Sequence, residues 1–132
     1  MLESLRQQVR ERAGGRCEYC HLPENGTVLP HEVDHIRSQK HGGLTSLDNL
    51  CLACSYCNAH KGPNVSGYDP DTDALGRLFN PRADRWEVHF KWEGPRLVGK
   101  TPIARATIVV LEIDAAERVE HRRLLMEAGF LP

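Results

Sequence analysis

The sequence predicts a small α+β fold, and two observations indicate it. Two C-x-x-C pairs, CEYC at residues 17–20 and CSYC at residues 54–57, flank a segment in which short apolar stretches alternate with glycine turns. The chain has 132 residues, the length of one domain or of a small domain with an extension. Its composition, 40% apolar and 27% charged, is typical of a soluble globular protein.

The N-terminal segment, MLESLRQQVRERAGG, predicts a short amphipathic helix rather than a secretory signal. Leu2, Leu5 and Val9 recur at helical spacing, and Gly14-Gly15 would end the helix. The segment is charged throughout and has no apolar h-region, and the sequence has no apolar run long enough to cross a bilayer. We therefore expect a cytoplasmic protein in a reducing compartment, with no membrane partner.

The overall charge does not by itself predict a nucleic-acid partner. The formal net charge is -1, so any such binding would need a local basic patch. Basic residues are frequent in the first half of the chain, but acidic residues are interleaved among them. These basic residues are Arg6, Arg10, Arg12, Arg16, Arg37, Lys40 and Lys61.

The paired cysteines predict one structural zinc. In a reducing compartment, closely spaced cysteines are more often metal ligands or redox groups than disulfides. Each C-x-x-C turn can direct two thiolates to a tetrahedral zinc, and two pairs in one short chain favour zinc over a redox role. The predicted ligands are Cys17, Cys20, Cys54 and Cys57. Four cysteines leave no open position for water or substrate, so this zinc would be a scaffold. Cys51, in the apolar run LCLAC, is expected to be a buried free thiol.

The segment between the pairs predicts a strand, a loop, a second strand and a helix. HEVDHI would form the first strand, Gly42-Gly43 a tight turn, and NLCLA the returning strand. SYCNAHK would form a short helix that ends at Gly62. With zinc at both ends, this order would bring Asp34, His35 and Asn58 together.

The rest of the chain predicts a structural extension. GPNVSGYDPDTDALG reads as a connecting loop, and WEVHFKW alternates as a half-buried strand that turns at Gly94-Pro95 into RLVG. Thr101 would cap a helix that Pro102 begins, and Asp114 would cap a last helix. We therefore predict a core over residues 1–66, with the N-terminal helix and the cysteine pairs, and an extension over residues 67–132. The extension would be a loop, a β-hairpin and two helices packed on the core.

The order of motifs CEYC, EVDHI, GG, DNL and CSYCNAHKG resembles the HNH endonucleases, whose core is the ββα-metal (His-Me) finger. The resemblance covers residues 12–62. The first histidine of the family name corresponds to His35 and its asparagine to Asn49. Asn58 stands where the last histidine would fall, which is an accepted variant because an amide oxygen can also bind a hard cation. The resemblance implies a zinc-stapled ββα-metal core.

The resemblance also implies a metal-dependent hydrolysis of phosphodiester bonds. His35 would be the general base that activates water, since an imidazole's ordinary pKa of ~6.5 suits proton transfer near neutral pH. Asp34 and Asn58 would hold one Mg²⁺ or Mn²⁺. Asn49 would brace the loop that carries the histidine.

A second set of residues is expected to support these roles. Lys61, Arg37 and Lys40 would contact the phosphate backbone, with DNA as the expected partner in preference to RNA. Glu32 points the same way as Asp34 in a strand, and His60 follows Asn58 in the helix, so both are candidate auxiliary groups. His31 and His41 would lie at the surface or beside the site residues without binding the cation, and His89 would be a solvated side chain.

Two readings other than a nuclease remain open from the sequence. The protein could be a non-catalytic zinc-bound module that binds nucleic acid or protein, in which Asp34-His35 would be vestigial. A redox protein that uses its C-x-x-C pairs is a weaker alternative.

Overall fold

The computed structural model describes all 132 residues, and the chain divides into two compact units. The first unit comprises Met1–Val65 together with Asn80–Asp84, and the second comprises Ser66–Phe79 together with Arg85–Pro132. The boundary expected from the sequence lies after residue 66. No helix in the structure has both the length and the apolar character needed to cross a membrane.

The first unit is built on one antiparallel β-hairpin and two helices. Its elements are α1 (Glu3–Ala13), β1 (Glu32–His35), β2 (Leu50–Ala53) and α2 (Ser55–Lys61). Single turns of 3-10 helix lie at Glu24–Gly26, Gln39–His41 and Leu47–Asn49. In the hairpin, Asp34 is opposite Cys51 and His35 is opposite Leu50. Both strands and α2 lie where the sequence predicts them.

Helix α1 is the amphipathic helix that the sequence predicts. It ends at Gly14, which adopts the left-handed conformation (φ 65°) that glycine tolerates best. Val9 is fully buried in a cluster with Leu50 and Leu52 of β2. Arg12 then donates to the carbonyl oxygen of Leu50 at 2.5 Å. The helix therefore covers one side of the hairpin and leaves its other side to α2.

The second unit contains two further two-stranded antiparallel sheets and three helices. Its elements are β3 (Ser66–Tyr68), β4 (Leu75–Arg77), α3 (Trp86–His89), β5 (Phe90–Glu93), β6 (Arg96–Gly99), α4 (Pro102–Val110) and α5 (Ala116–Glu127). Strand β3 pairs with β4, and β5 pairs with β6. Helix α4 contacts both hairpins, so it is the central element of this unit.

The predicted strand over residues 86–92 is only partly correct. Trp86–His89 forms one helical turn, and the strand begins at Phe90. A helical turn places Trp86 and Phe90, four residues apart, on one face, and their ring centroids lie 5.2 Å apart. In an extended strand, two residues four positions apart would be too far from each other for their rings to touch. The helical turn therefore allows an aromatic contact that the predicted strand would not.

Two other expectations in the second unit need correction. The predicted connecting loop contains the hairpin β3–β4, which closes around Asp69. Asp114 does not cap α5, because the cap position is Ala115. Its carboxylate instead accepts from the amide N–H of Leu97 at 3.2 Å and pairs with Arg122 at 2.5 Å. The Asp114 carboxylate is therefore engaged by Leu97 and Arg122 and does not cap α5.

The start of α4 confirms the sequence prediction. Thr101 is the N-cap and Pro102 is the first helical residue. The hydroxyl oxygen of Thr101 accepts from the amide N–H of Ala104 at 3.1 Å, which satisfies one of the free amide groups at the helix end.

Candidate functional site

The four paired cysteines form one buried cluster that can hold a zinc ion. The Sγ atoms of Cys17, Cys20, Cys54 and Cys57 all lie within 4.8 Å of one another. The Cys20 and Cys54 sulfurs are 3.7 Å apart. Four sulfurs at ~2.3 Å from a tetrahedral zinc are separated by about 3.8 Å, so the spacing fits the ion. The soft thiolate set also favours zinc over a hard cation.

Local backbone geometry aims these sulfurs at one point. The amide N–H of Cys20 donates to Cys17 Sγ at 3.5 Å, and that of Cys57 donates to Cys54 Sγ at 3.4 Å. Cys54 is also the N-cap of α2, so the second cysteine pair and the start of the helix coincide. Burial raises the pKa of the Cys17 and Cys57 thiols. Their thiolate forms are therefore stable in this cluster only when a cation compensates the negative charge.

Cys51 lies outside this cluster. It is fully buried in β2, and its sulfur is 3.6 Å from the hydroxyl of Tyr19. Burial, and next the charge of Asp34, raise the pKa of this thiol far above its ordinary range. The expectation of a buried free thiol at Cys51 is confirmed.

The strand β1 separates the adjacent Asp34 and His35. Successive side chains of a strand point to opposite faces. Asp34 faces the interior and is 8% exposed, whereas His35 is half-buried at the end of the strand. The Asp34 carboxylate accepts from the hydroxyl of Tyr19 at 3.3 Å through Oδ2. The sequence therefore predicts the pair of residues but not the buried surroundings of Asp34.

Lys61 completes the surroundings of Asp34. Its ammonium lies 3.1 Å from Asp34 Oδ2 and donates to the carbonyl oxygen of His35 at 3.0 Å. Burial raises the pKa of the Asp34 carboxyl, and the charge and hydrogen bond of Lys61 oppose that change. Lys61 is only 1% exposed. A side chain buried to this degree cannot reach a phosphate backbone, so the prediction that Lys61 contacts one is wrong.

Oxygen donors from β1 and α2 gather on the same side of the hairpin. Glu32 shares the face of Asp34, and its Oε2 accepts a hydrogen bond from the amide Nδ2 of Asn58. Asn58 and Lys61 are three residues apart on one face of α2. The side chain of Asn58 is thus hydrogen-bonded to Glu32 and not to Asp34.

The oxygen donors of Asp34, Glu32 and Asn58 are of the types that bind hard divalent cations. The contacts of Tyr19 and Lys61 both use Oδ2 of Asp34, which leaves Oδ1 as its oxygen for a cation. Asn58 donates to Glu32 through nitrogen, so its amide oxygen remains an acceptor. Two carboxylates and one amide oxygen are the ligand types that Mg²⁺ and Mn²⁺ take in proteins.

His35 is oriented by Thr45, a residue that no sequence motif indicates. Its Nε2 lies 2.9 Å from the hydroxyl oxygen of Thr45. When Nε2 carries the proton and donates to Thr45, the lone pair of Nδ1 is left to accept a proton. Thr45 lies in an exposed loop next to Ser46. No local pattern in the sequence distinguishes which of these two hydroxyls meets the imidazole.

Asn49 closes the loop that follows β1. Its Oδ1 accepts from the amide N–H of Arg37 at 2.9 Å, and its Nδ2 donates to the carbonyl oxygens of Arg37 at 2.9 Å and Leu44 at 2.8 Å. Gly43 allows this close approach, because a Cβ there would lie 1.7 Å from the carbonyl oxygen of Arg37. Asn49 thus holds the loop through side-chain hydrogen bonds to Arg37 and Leu44.

The other residues singled out by the sequence occupy two kinds of position, exposed and buried. Arg37 and Lys40 are exposed, and Arg37 donates to the carbonyl oxygen of His41 at 2.6 Å. His41 and His60 are also exposed. His31 is buried, with Nε2 2.7 Å from the carbonyl oxygen of Leu22, so it is not a surface group.

In the second unit, His89 is not the solvated side chain that the sequence suggests. Its Nδ1 lies 2.7 Å from the hydroxyl oxygen of Thr101, the N-cap of α4, and its ring is 5.7 Å from that of Phe79. His89 therefore has a structural role.

A family model matches the segment that carries this site. Residues 17–64 match the family model described as HNH endonuclease. The matched range includes both cysteine pairs, both strands of the hairpin and α2. Comparisons with curated proteins and with solved structures gave no match.

Proposed function

Since residues 17–64 match the HNH endonuclease family model, we propose that the protein is a metal-dependent endonuclease that hydrolyses phosphodiester bonds in DNA. One observation supports this proposal most strongly. A half-buried imidazole, His35, is held by Thr45 at the end of the strand that also carries the carboxylates of Glu32 and Asp34. A proton acceptor and donors for a divalent cation therefore lie on one short element.

In this proposal His35 is the general base. Hydrolysis of a phosphodiester requires a proton to be removed from the attacking water. Nδ1 of His35 accepts that proton, while the contact between Nε2 and the Thr45 hydroxyl, with Nε2 as the donor in this proposal, holds the ring in one orientation. The hydrogen bond from Lys61 to the carbonyl oxygen of His35 holds the backbone at the same residue.

Asp34 and Asn58 are proposed to hold one Mg²⁺ or Mn²⁺, with Glu32 beside them. When bound, the cation neutralises charge on the scissile phosphate and on the leaving oxygen. Asp34 contributes Oδ1, because Oδ2 is engaged by Tyr19 and Lys61. Glu32 orients the amide of Asn58 through the hydrogen bond between them.

The second metal of the proposal is a structural zinc. Cys17 and Cys20 precede β1, and Cys54 and Cys57 lie at the end of β2 and the start of α2. One zinc on these sulfurs would fix both ends of the segment that carries His35, Asp34 and Asn58.

The cleavage experiment compares His35→Ala with the parent protein on supercoiled plasmid in Mg²⁺, Mn²⁺ or EDTA. Loss of a positioned base lowers a rate by ~10²–10⁴-fold, so we expect the variant to lose cleavage at unchanged zinc content and fold. His41→Ala is the matched control, because His41 is an exposed histidine with no proposed role in proton transfer or cation binding. EDTA should stop the parent reaction.

Two outcomes would contradict the proposal. Cleavage by His35→Ala at the parent rate would show that His35 is not the base. A parent protein that cuts neither DNA nor RNA with any divalent cation would instead be a zinc-bound binding module. Asp34→Ala and Asn58→Ala provide a further distinction, since part of their loss should be recovered at higher Mn²⁺ whereas the His35→Ala loss should not.

Nucleic acid is proposed to bind beside the loop that Asn49 closes. Arg37 and Lys40 are exposed there, and the net charge of -1 means that binding must depend on such a local group. We expect the affinity for DNA to fall steeply with salt, because phosphate contacts release counterions. Lys40→Ala should weaken binding and reduce the salt slope by about one. Lys91→Ala, at an exposed lysine of β5, should leave both unchanged.

A further inference from the structure

Lys61 is among the largest fully buried side chains of the protein, although it is charged. Lysine is almost never fully buried unless it is paired. The residue ends α2, where Gly62 turns the chain with a positive φ of 50°. A lysine at a helix end ordinarily extends into solvent, so its burial requires an explanation from its surroundings.

The surroundings of the ammonium connect two residues of the proposed site. Lys61 Nζ is 3.1 Å from Oδ2 of Asp34 and 3.0 Å from the carbonyl oxygen of His35. The other groups that contact this carboxylate are the hydroxyl of Tyr19 and the thiol of Cys51. Lys61 is therefore the only cation in contact with the buried Asp34 carboxylate.

We propose that Lys61 is a built-in counter-cation of the divalent-metal site, which neutralises Asp34 before the metal arrives and lowers the affinity for that metal by staying beside it. This inference rests on the cation site of the proposed function. Lys61 would thus be a positioning residue, since it acts through Asp34 and through the backbone of His35.

The physical argument has two steps. Without Lys61, Asp34 would be a buried carboxylate with no opposite charge, which is strongly unfavourable. Oδ1 remains the oxygen for a divalent cation while Oδ2 stays on Lys61, so the ammonium does not have to leave. Two positive charges that share one buried carboxylate repel each other at low local dielectric. A site with Lys61 is therefore formed in advance and binds its cation less tightly than the same site without it.

The test measures Mn²⁺ binding and thermal unfolding of zinc-loaded protein without nucleic acid. In Lys61→Met we expect a lower unfolding temperature in the absence of Mn²⁺. We also expect a dissociation constant for Mn²⁺ that is lower by about tenfold, and a larger stabilisation by Mn²⁺ than in the parent. Lys61→Arg, which keeps the charge, should retain the parent affinity. Lys91→Met, at an exposed lysine of β5, should change none of these quantities.

Lys61→Gln provides a second neutral variant, which retains a hydrogen-bond donor. If both neutral variants are unfolded without Mn²⁺, millimolar Mn²⁺ should restore the folded state, and failure to do so would overturn the inference. Neutral variants that fold and bind Mn²⁺ no more tightly than the parent would also overturn it, because Lys61 would then be only a structural ion-pair partner.

The same measurements separate this inference from the proposed function. Asp34→Asn should abolish the Mn²⁺ stabilisation in the parent and in Lys61→Met alike. A protein that shows this dependence on Asp34 and Lys61 but cuts no nucleic acid would disprove the nuclease and leave the inference standing. Mn²⁺ binding that does not depend on Asp34 would overturn the inference, whatever the result of the cleavage assay.

Discussion

The imidazole Nε2 of His35 lies 2.9 Å from the hydroxyl oxygen of Thr45, ten positions further along the chain. Thr45 belongs to no helix or strand. It reaches the imidazole because Asn49 bonds both Arg37 and Leu44 and so closes the intervening loop. The orientation of the proposed base therefore depends on a loop that is itself held by one asparagine.

Thr45→Val tests this relationship with a side chain of nearly the same shape. Loss of one hydrogen bond is worth about 0.5–1.5 kcal/mol, so we expect kcat to fall by up to about tenfold. KM should stay nearly unchanged, because Thr45 positions the base and is not proposed to bind substrate. Steady-state cleavage of a short labelled duplex measures both constants.

Two variants serve as controls for Thr45→Val. Thr45→Ser keeps the hydroxyl and should restore most of kcat. Ser46→Ala removes the neighbouring hydroxyl, which bonds Asp48 at 2.5 Å, and should leave kcat unchanged. A Thr45→Val protein with parent kcat would show that the contact does not orient the base.

The cysteine cluster predicts a fold that depends on one zinc per chain. Structural zinc contributes an apparent ~10–16 kcal/mol in small finger peptides, so Cys17→Ser should lose the ion and unfold the first unit. Metal analysis and circular dichroism of the purified protein measure these outcomes. Cys51→Ser changes a buried cysteine outside the cluster and should retain the zinc. A folded parent protein without zinc would contradict this prediction.

Gly43→Ala is expected to destabilise the loop between the two strands of the first hairpin. The new Cβ would lie 1.7 Å from the carbonyl oxygen of Arg37, so the backbone must move. Overpacking of this kind costs about 1–3 kcal/mol, measured by chemical unfolding. Cleavage should fall as well, because the shift displaces Thr45. At Gly76 a Cβ would meet no atom within 4 Å, so Gly76→Ala is the control and should be much milder.

Asp69 is expected to make the stability of the second unit depend on pH. Its carboxylate accepts from Arg105 at 2.9 and 2.8 Å and from the amide N–H of Asp71 at 3.0 Å. The Arg105 guanidinium holds the pKa of the Asp69 carboxyl well below its usual range. The folded state thus binds the proton less readily than the unfolded state. The stabilisation is present above the unfolded pKa of about 3.9 and is lost as the pH falls through the folded value.

The free energy of unfolding of Asp69→Asn, measured as a function of pH, tests this prediction. The variant should be less stable than the parent near neutral pH, and the difference should shrink as the pH is lowered below about 4. Asp73→Asn is the matched control, because Asp73 is exposed and asparagine tolerates its positive φ of 61°. A stability difference for Asp69→Asn that stays constant with pH would contradict the assigned cause.

The sequence by itself determined the local parts of the site. The spacing within each cysteine pair, the glycines at positions 14, 42, 43 and 62, and the alternation in EVDH are short-range patterns. Backbone geometry converts such patterns directly into turns, a strand and a helix. For this reason β1, β2, α2 and the cysteine cluster lie where the sequence predicts them.

Only the tertiary structure decided which side chains meet across these elements. Lys61 is buried because Asp34 lies within reach on the neighbouring strand, and Thr45 meets His35 because the loop between them is closed. Likewise, Trp86 enters a helical turn because its ring packs on Phe90. Burial and partner choice depend on contacts between residues distant in sequence, which outweigh local preference because they remove charge and apolar surface from water.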